Sequence, residues 1–105
     1  VPKIYIVNKS GHDYGDAYRF GDKLIYLSEG QMPRYQINSM YRQFSERMKD
    51  STEDDYLLPS SLNNMNIVAT AIWLSKHKKI KLLLWQKGKY LEQTLSMEGE
   101  MQDEN

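Results

Sequence analysis

A small three-layer α/β sandwich is the fold class this 105-residue chain predicts. Its centre is a mostly parallel five-stranded sheet, with a C-terminal antiparallel hairpin strand as its last member. Three observations lead there. Short runs such as "KIYIV" and "IKLLLW" are apolar at consecutive positions, as in strands covered on both faces. Two longer segments carry apolar residues at the three-and-four spacing of helices, and they alternate with the strands. Each of the first three strands leaves through a polar loop.

The first strand is expected over residues 3–8, with Ile4 and Ile6 on one face and Tyr5 and Val7 on the other. Residues 9–22 leave room for one helical turn near "GDAYRF", a connection short enough to leave an antiparallel pairing of the first two strands open. A second strand opens the segment 23–30. A helix is expected over 33–49, with Ile37, Met40, Tyr41, Phe44 and Met48 on its buried face and Arg42, Gln43, Glu46 and Arg47 opposite. Pro33 suits its first turn, where no N–H is needed. A short strand follows in 55–61, ended by Pro59.

The second helix is expected over 62–77, capped by the Ser60 or Ser61 hydroxyl. Leu62, Met65, Val68, Ala69 and Ile72 make one stripe. Ile67, Ala71, Trp73 and Leu74 make another, which asks for a further cover, either an element of this fold or a second copy of the chain. Residues 80–86 suit a central strand, "KGK" a turn, and 90–95 an edge strand with Leu91 and Leu95 inward. Right-handed crossovers favour the order 2-1-3-4-5. The arrangement resembles a small flavodoxin-like or Rossmann-like sandwich.

Bulk properties narrow the class. Formal charge is zero, from 14 basic and 14 acidic residues, and there is no cysteine for a disulfide, a thiolate metal site or a thiol nucleophile. No apolar stretch has the length of a bilayer span. One domain over 1–95 is expected, in the cytoplasm. The tail 96–105 carries Glu98, Glu100, Asp103 and Glu104 without a base and is expected to be disordered. The basic run "KHKKIK", 76–81, reads as a helix end and solvated turn, so nucleic acid is not the expected partner. No cofactor is implied, and metal ligands are too sparse for a site.

In parallel sheets of this kind ligands bind beyond the carboxyl ends of the strands, where the connections diverge. The loops there are "NKSGHDYGD", "SEG" and "PSSLNN". They nominate Asn8, Lys9, Ser10, Gly11, Ser28, Gly30, Ser60, Ser61, Asn63 and Asn64 as ligand-binding residues. Lys9 would balance an anion, Gly11 and Gly30 would admit close approach, and the serines with the helix amides would bind the anion. The chain is thus expected to be a small binding or regulatory protein for an anionic small molecule, a nucleotide being one candidate. Two alternatives stand beside this. One is a hydrolase-like enzyme with His12 or Asp13 as general acid or base and Glu29 as partner. The other is an interaction scaffold acting through helix 62–77. No GxGxxG, GxxxxGK[ST] or GxSxG motif is present.

Overall fold

In the computed structural model, residues 1–31, 33 and 35–97 are described. The expected tail, with its four acids, lies almost wholly outside them. The elements are β1 (Lys3–Ile6), a 3₁₀ helix (Gly15–Arg19), β2 (Lys23–Tyr26), α1 (Ile37–Arg47), β3 (Tyr56–Leu58), α2 (Asn63–Lys76), β4 (Lys79–Gln86) and β5 (Lys89–Ser96). The sheet order is β2-β1-β3-β4-β5, with β5 antiparallel to β4 and every other pair parallel. This is the expected order and class.

The layers are unequal. α1 and α2 both lie on the face that carries Tyr5, Val7, Leu57, Ile80 and Leu82. The opposite face, with Ile4, Ile6, Tyr56, Leu58 and Leu83, is covered by the 3₁₀ helix and by Tyr14, Phe20 and Tyr90. The connections agree with the handedness rule. The chain steps from β1 to β2 over one face, then runs from β2 across to β3 and on to β4 over the other. The divergence therefore falls between β1 and β3.

Several expected packing faces are redrawn. α1 starts after Gln36, so Pro33 lies before the helix, where its carbonyl accepts the Gln36 N–H at 3.3 Å. Met40, Phe44 and Met48 are fully buried, whereas Ile37 and Tyr41 are 44% and 56% exposed. The phase of the helix is set by Gln43 and Arg47, which donate to the free carbonyls of Leu27 and Tyr26 at 2.8 and 2.9 Å. These polar residues turn toward the β2 edge because that edge offers unpaired acceptors.

On α2, Trp73 is buried rather than outward. Its ring meets Tyr5 edge-on at 5.8 Å and its Nε1–H donates to the Lys79 carbonyl at 3.0 Å. Ile67 and Ala71 remain exposed. Leu91 and Leu95 do sit on the helix-bearing face, but no β5 residue joins the cluster beneath the helices, and Leu95 is 53% exposed.

Two details fix the sheet ends. Lys87 and Gly88, at φ 51° and 89°, make the two-residue turn between β4 and β5, whose positive dihedrals match the twist of a hairpin. At the amino end of the sheet, buried Asp55 accepts the Lys3 and Thr52 N–H groups, each at 2.8 Å, and lies 3.3 Å from Lys3 Nζ.

Candidate functional site

The exits of β1 and β2 are zipped together. Leu27 N–H donates to Ile6 O, Lys9 N–H to Ser28 O and Gly30 N–H to Lys9 O, each at 2.8 Å. The parallel pairing thus continues through a bridge between Lys9 and Glu29. Ser28 Oγ lies 2.8 Å from both Val7 O and Asn8 Oδ1, which consumes the polar groups of that exit internally. Gly30, at φ 66°, provides the left-handed turn that lets its N–H reach Lys9.

Beyond Lys9 the chain loops out and is closed by Tyr14. Its hydroxyl donates to Asn8 O at 3.0 Å and accepts the Ser10 N–H at 3.2 Å, with Ser10 Oγ at 3.1 Å. Asp13 Oδ1 accepts the Gly15 N–H at 2.8 Å and so starts the 3₁₀ helix. The loop is thereby a fixed wall, with His12 exposed upon it.

The β3 exit makes the second wall. Asn66, one turn into α2, pairs its side-chain amide with the backbone of Ser60 at 2.8 Å in both directions. Ser60 Oγ accepts the Leu62 N–H at 3.0 Å. The residue that caps α2 is Leu62, whose side chain makes no capping hydrogen bond. The expected serine cap is therefore displaced: Ser60 braces the turn that leads into the helix, and Ser61 stays exposed.

The third wall comes from the hairpin. β3 pairs with β4 only through Tyr56–Lys81 and Leu57–Leu82, so Leu83–Gln86 run on past the end of β3. The Trp85–Tyr90 pair stands on this projecting ribbon, rings edge-on at 4.8 Å. The ribbon is clamped from the 3₁₀ helix, since Asp16 Oδ2 accepts the Tyr90 N–H at 2.8 Å and Arg19 Nη2 donates to the Tyr90 carbonyl at 2.7 Å.

These walls enclose a cleft of about 510 Å³ at the divergence of β1 and β3. Asn8, Ser10, His12, Asp13 and Tyr14 line one side, Leu58, Pro59, Ser60 and Ser61 another, and Leu83, Leu84, Trp85 and Tyr90 the third. A smaller cleft of about 410 Å³ adjoins the start of α2 and takes Tyr35, Met40, Leu62, Asn63, Asn64 and Met65. Ser61 belongs to both.

Of the nominated residues, Asn8, Ser10, His12, Asp13, Ser60 and Ser61 meet in the main cleft. Asn63 and Asn64 line the smaller one. Lys9, Gly11, Ser28, Glu29 and Gly30 line neither. Lys9 Nζ sits instead over the Tyr26 ring, 5.1 Å from its centroid. A side chain at Gly11 would meet nothing within 4 Å, so crowding does not demand glycine there. The pairing of His12 with Glu29 is thus not made across the cleft.

The electrostatics are distinctive. No lysine or arginine lines either cleft among the described residues, and Asp13 brings a carboxylate to the main one. Burial, then the neighbouring Tyr14, Asp16 and Asp13, push the Tyr90 phenol above its usual pKa, so it stays a neutral donor. Among the described residues no three His, Cys, Asp or Glu side chains gather as metal ligands, and no helix is long and apolar enough to cross a membrane.

The residues that sequence reasoning missed are Tyr14, Trp85 and Tyr90. The signal for Tyr14 was an aromatic residue between glycines in a polar loop. Trp85 and Tyr90 flank the "QKGK" turn symmetrically, which places them on one face of any two-residue hairpin.

The family model described as Phage Pam3 gp32-like protein matches residues 2–97, which take in every wall of both clefts. No curated protein and no solved structure matches the chain.

Proposed function

We propose that this chain, which belongs to the phage Pam3 gp32-like protein family, is a small binding or regulatory protein that holds an anionic small molecule of the nucleotide type at the carboxyl ends of its parallel strands. The family description names neither ligand nor reaction, so the reading rests on the clefts. One observation carries it. Ser61 lines both clefts, and between them α2 opens on Leu62, an apolar residue whose side chain makes no capping hydrogen bond. A helix N-terminus presents backbone N–H groups and the positive end of its dipole, which favour a negative group. Because no lysine or arginine lines the clefts among the described residues, the anion would rest on Ser61 and the first turn of α2. Lys9 has no part in this. The lack of cysteine suits action in a reducing cytoplasm.

A thermal-shift screen with nucleotides and sugar phosphates tests the reading. A ligand at 100 times its dissociation constant stabilises the fold by about 2.7 kcal/mol. Ser61→Asp, which sets a carboxylate at the junction of the clefts, should abolish the response. No shift with any phosphate-bearing compound at millimolar concentration would defeat the proposal. Under the hydrolase alternative His12 and Asp13 are the candidates, since both line the cleft and Glu29 does not. His12→Ala should leave binding intact under the favoured reading.

A second reading follows from α2, where Ile67 is 66% exposed. With Ala71 it forms a narrow outer stripe that a second copy would cover as a homodimer. Sedimentation of Ile67→Glu against the parent chain decides it, since a dimer should dissociate and a monomer should not respond.

A further inference from the structure

We infer that the main cleft receives a planar, amino-bearing nitrogen heterocycle of nucleobase size, stacked against Trp85 and hydrogen-bonded at its edge to Tyr90 and Asp13. The inference rests on the binding reading above and names the part of the ligand that the anion site leaves undefined.

Trp85 is the first ground. It is 57% exposed on the ribbon that projects past β3, and it lines the cleft. A large apolar ring left there contributes little to the core, but it offers a face for stacking, which tolerates any flat aromatic partner. The ribbon is also held still. The Tyr90 backbone is clamped through both its N–H and its carbonyl by Asp16 and Arg19, and the two rings touch edge-on. A platform fixed before the ligand arrives loses less freedom on binding.

Tyr90 is the second ground. The residue is only 5% exposed and lines the cleft, yet its hydroxyl makes no hydrogen bond among the described residues. Tyr14, close by, differs: its hydroxyl is engaged by Asn8 and Ser10. A neutral phenol open to the cleft can donate to, or accept from, a ligand atom placed there.

Charge is the third ground. Among the described residues no lysine or arginine lines the cleft, which favours an uncharged ring over a negative group there. Asp13 supplies an acceptor instead, because only its Oδ1 is occupied, by Gly15. A carboxylate favours ring N–H and exocyclic amino groups. The serines on the other wall, Ser60 and Ser61, lead toward the helix end proposed for the anion. A nucleobase with its sugar phosphate directed along that wall satisfies all three grounds, and a cleft of about 510 Å³ lies in the usual range for small-molecule sites.

Trp85 fluorescence and calorimetric titration test this with four probes: guanosine, adenosine, guanosine monophosphate and ribose 5-phosphate. Trp85→Phe identifies the signal, since the buried Trp73 remains. The expected result is quenching by the nucleosides and the nucleotide but not by ribose 5-phosphate. Trp85→Ala, at an exposed position, should fold as the parent does by circular dichroism. It should weaken nucleotide binding tenfold or more while leaving ribose 5-phosphate unchanged. Tyr90→Phe should weaken the nucleotide about threefold to tenfold. Binding of ribose 5-phosphate without either nucleoside would overturn the ring inference and leave the anion reading standing. Unchanged nucleotide affinity in Trp85→Ala would also overturn it. Binding of none of the four would end both.

Discussion

Asn66 and Ser60 exchange two hydrogen bonds, Ser60 N–H to Asn66 Oδ1 and Asn66 Nδ2 to Ser60 O, each at 2.8 Å. The side-chain amide thus does what a neighbouring strand would do, and it carries the order of β3 past Pro59 into the cleft wall. Asn is a poor helix former, so its place on α2 sacrifices a little helix propensity for a fixed loop. Asn66→Ala would leave a half-buried N–H and carbonyl without partners, at a cost of about 1–3 kcal/mol. Urea denaturation measures that loss. Ligand affinity should fall with it, because Ser60 and Ser61 lose their placement.

The clamp on the hairpin predicts an acid-dependent effect. Asp16 is held below the usual carboxylate range, first by the hydrogen bond from Arg19 and next by the Tyr90 N–H. A carboxyl whose pKa is depressed in the fold stabilises it above the unfolded pKa, and that contribution fades as pH falls through the folded value. Asp16→Asn should therefore melt below the parent chain at pH 7. The gap should close as the pH is lowered under 4. A gap that persists at pH 2 would mean that packing, not charge, sets the effect.

The sheet was legible because its cause is local. β1 and β4 are apolar at consecutive positions, so they belong in the interior of a parallel sheet, and the segments between them show helical spacing. The faces of the helices were less legible, because the cause is distant. Gln43 and Arg47 turn toward the sheet edge to reach carbonyls of the β2 exit, and Trp73 turns inward because Lys79 O accepts its indole N–H. A helical stripe cannot foresee such partners. The cleft divided the same way. Its β1 and β3 walls followed from strand ends and polar loops. The Trp85–Tyr90 wall depends on how far β4 overruns a three-residue β3, which is a matter of register.

Ser51 and His77 couple the ends of the two helices. Ser51 Oγ lies 2.9 Å from His77 Nε2, and the imidazole packs edge-on against Trp73 at 5.3 Å. Burial, then the charge of Lys76, lowers the His77 pKa, against the smaller opposing pull of Glu53 and Asp55. The fold thus prefers the neutral ring. Its contribution is complete above the unfolded pKa near 6.5 and declines as pH falls through the folded value. Melting temperature should drop between pH 7 and pH 5, and His77→Gln should flatten that slope. An unchanged slope in the variant would assign the acid sensitivity elsewhere.

Tyr5 presents the opposite sign. It is fully buried beside Trp73, and its hydroxyl has no hydrogen-bond partner among the described residues. Burial, with smaller contributions from Asp55 and Asp50, pushes its pKa up to about 12. An unpaired buried hydroxyl is destabilising, so Tyr5→Phe should raise stability by about 1 kcal/mol at neutral pH. A phenol whose pKa is raised in the fold supports it below the unfolded pKa of 10, and that support is lost as pH climbs toward 12. The parent chain should therefore lose stability over that interval, and the phenylalanine variant should lose less. Chemical denaturation at pH 7 and pH 11 measures both effects. If Tyr5→Phe is instead destabilising at pH 7, the hydroxyl has a partner in solution, and the pocket around Tyr5 is more polar than its apolar neighbours imply.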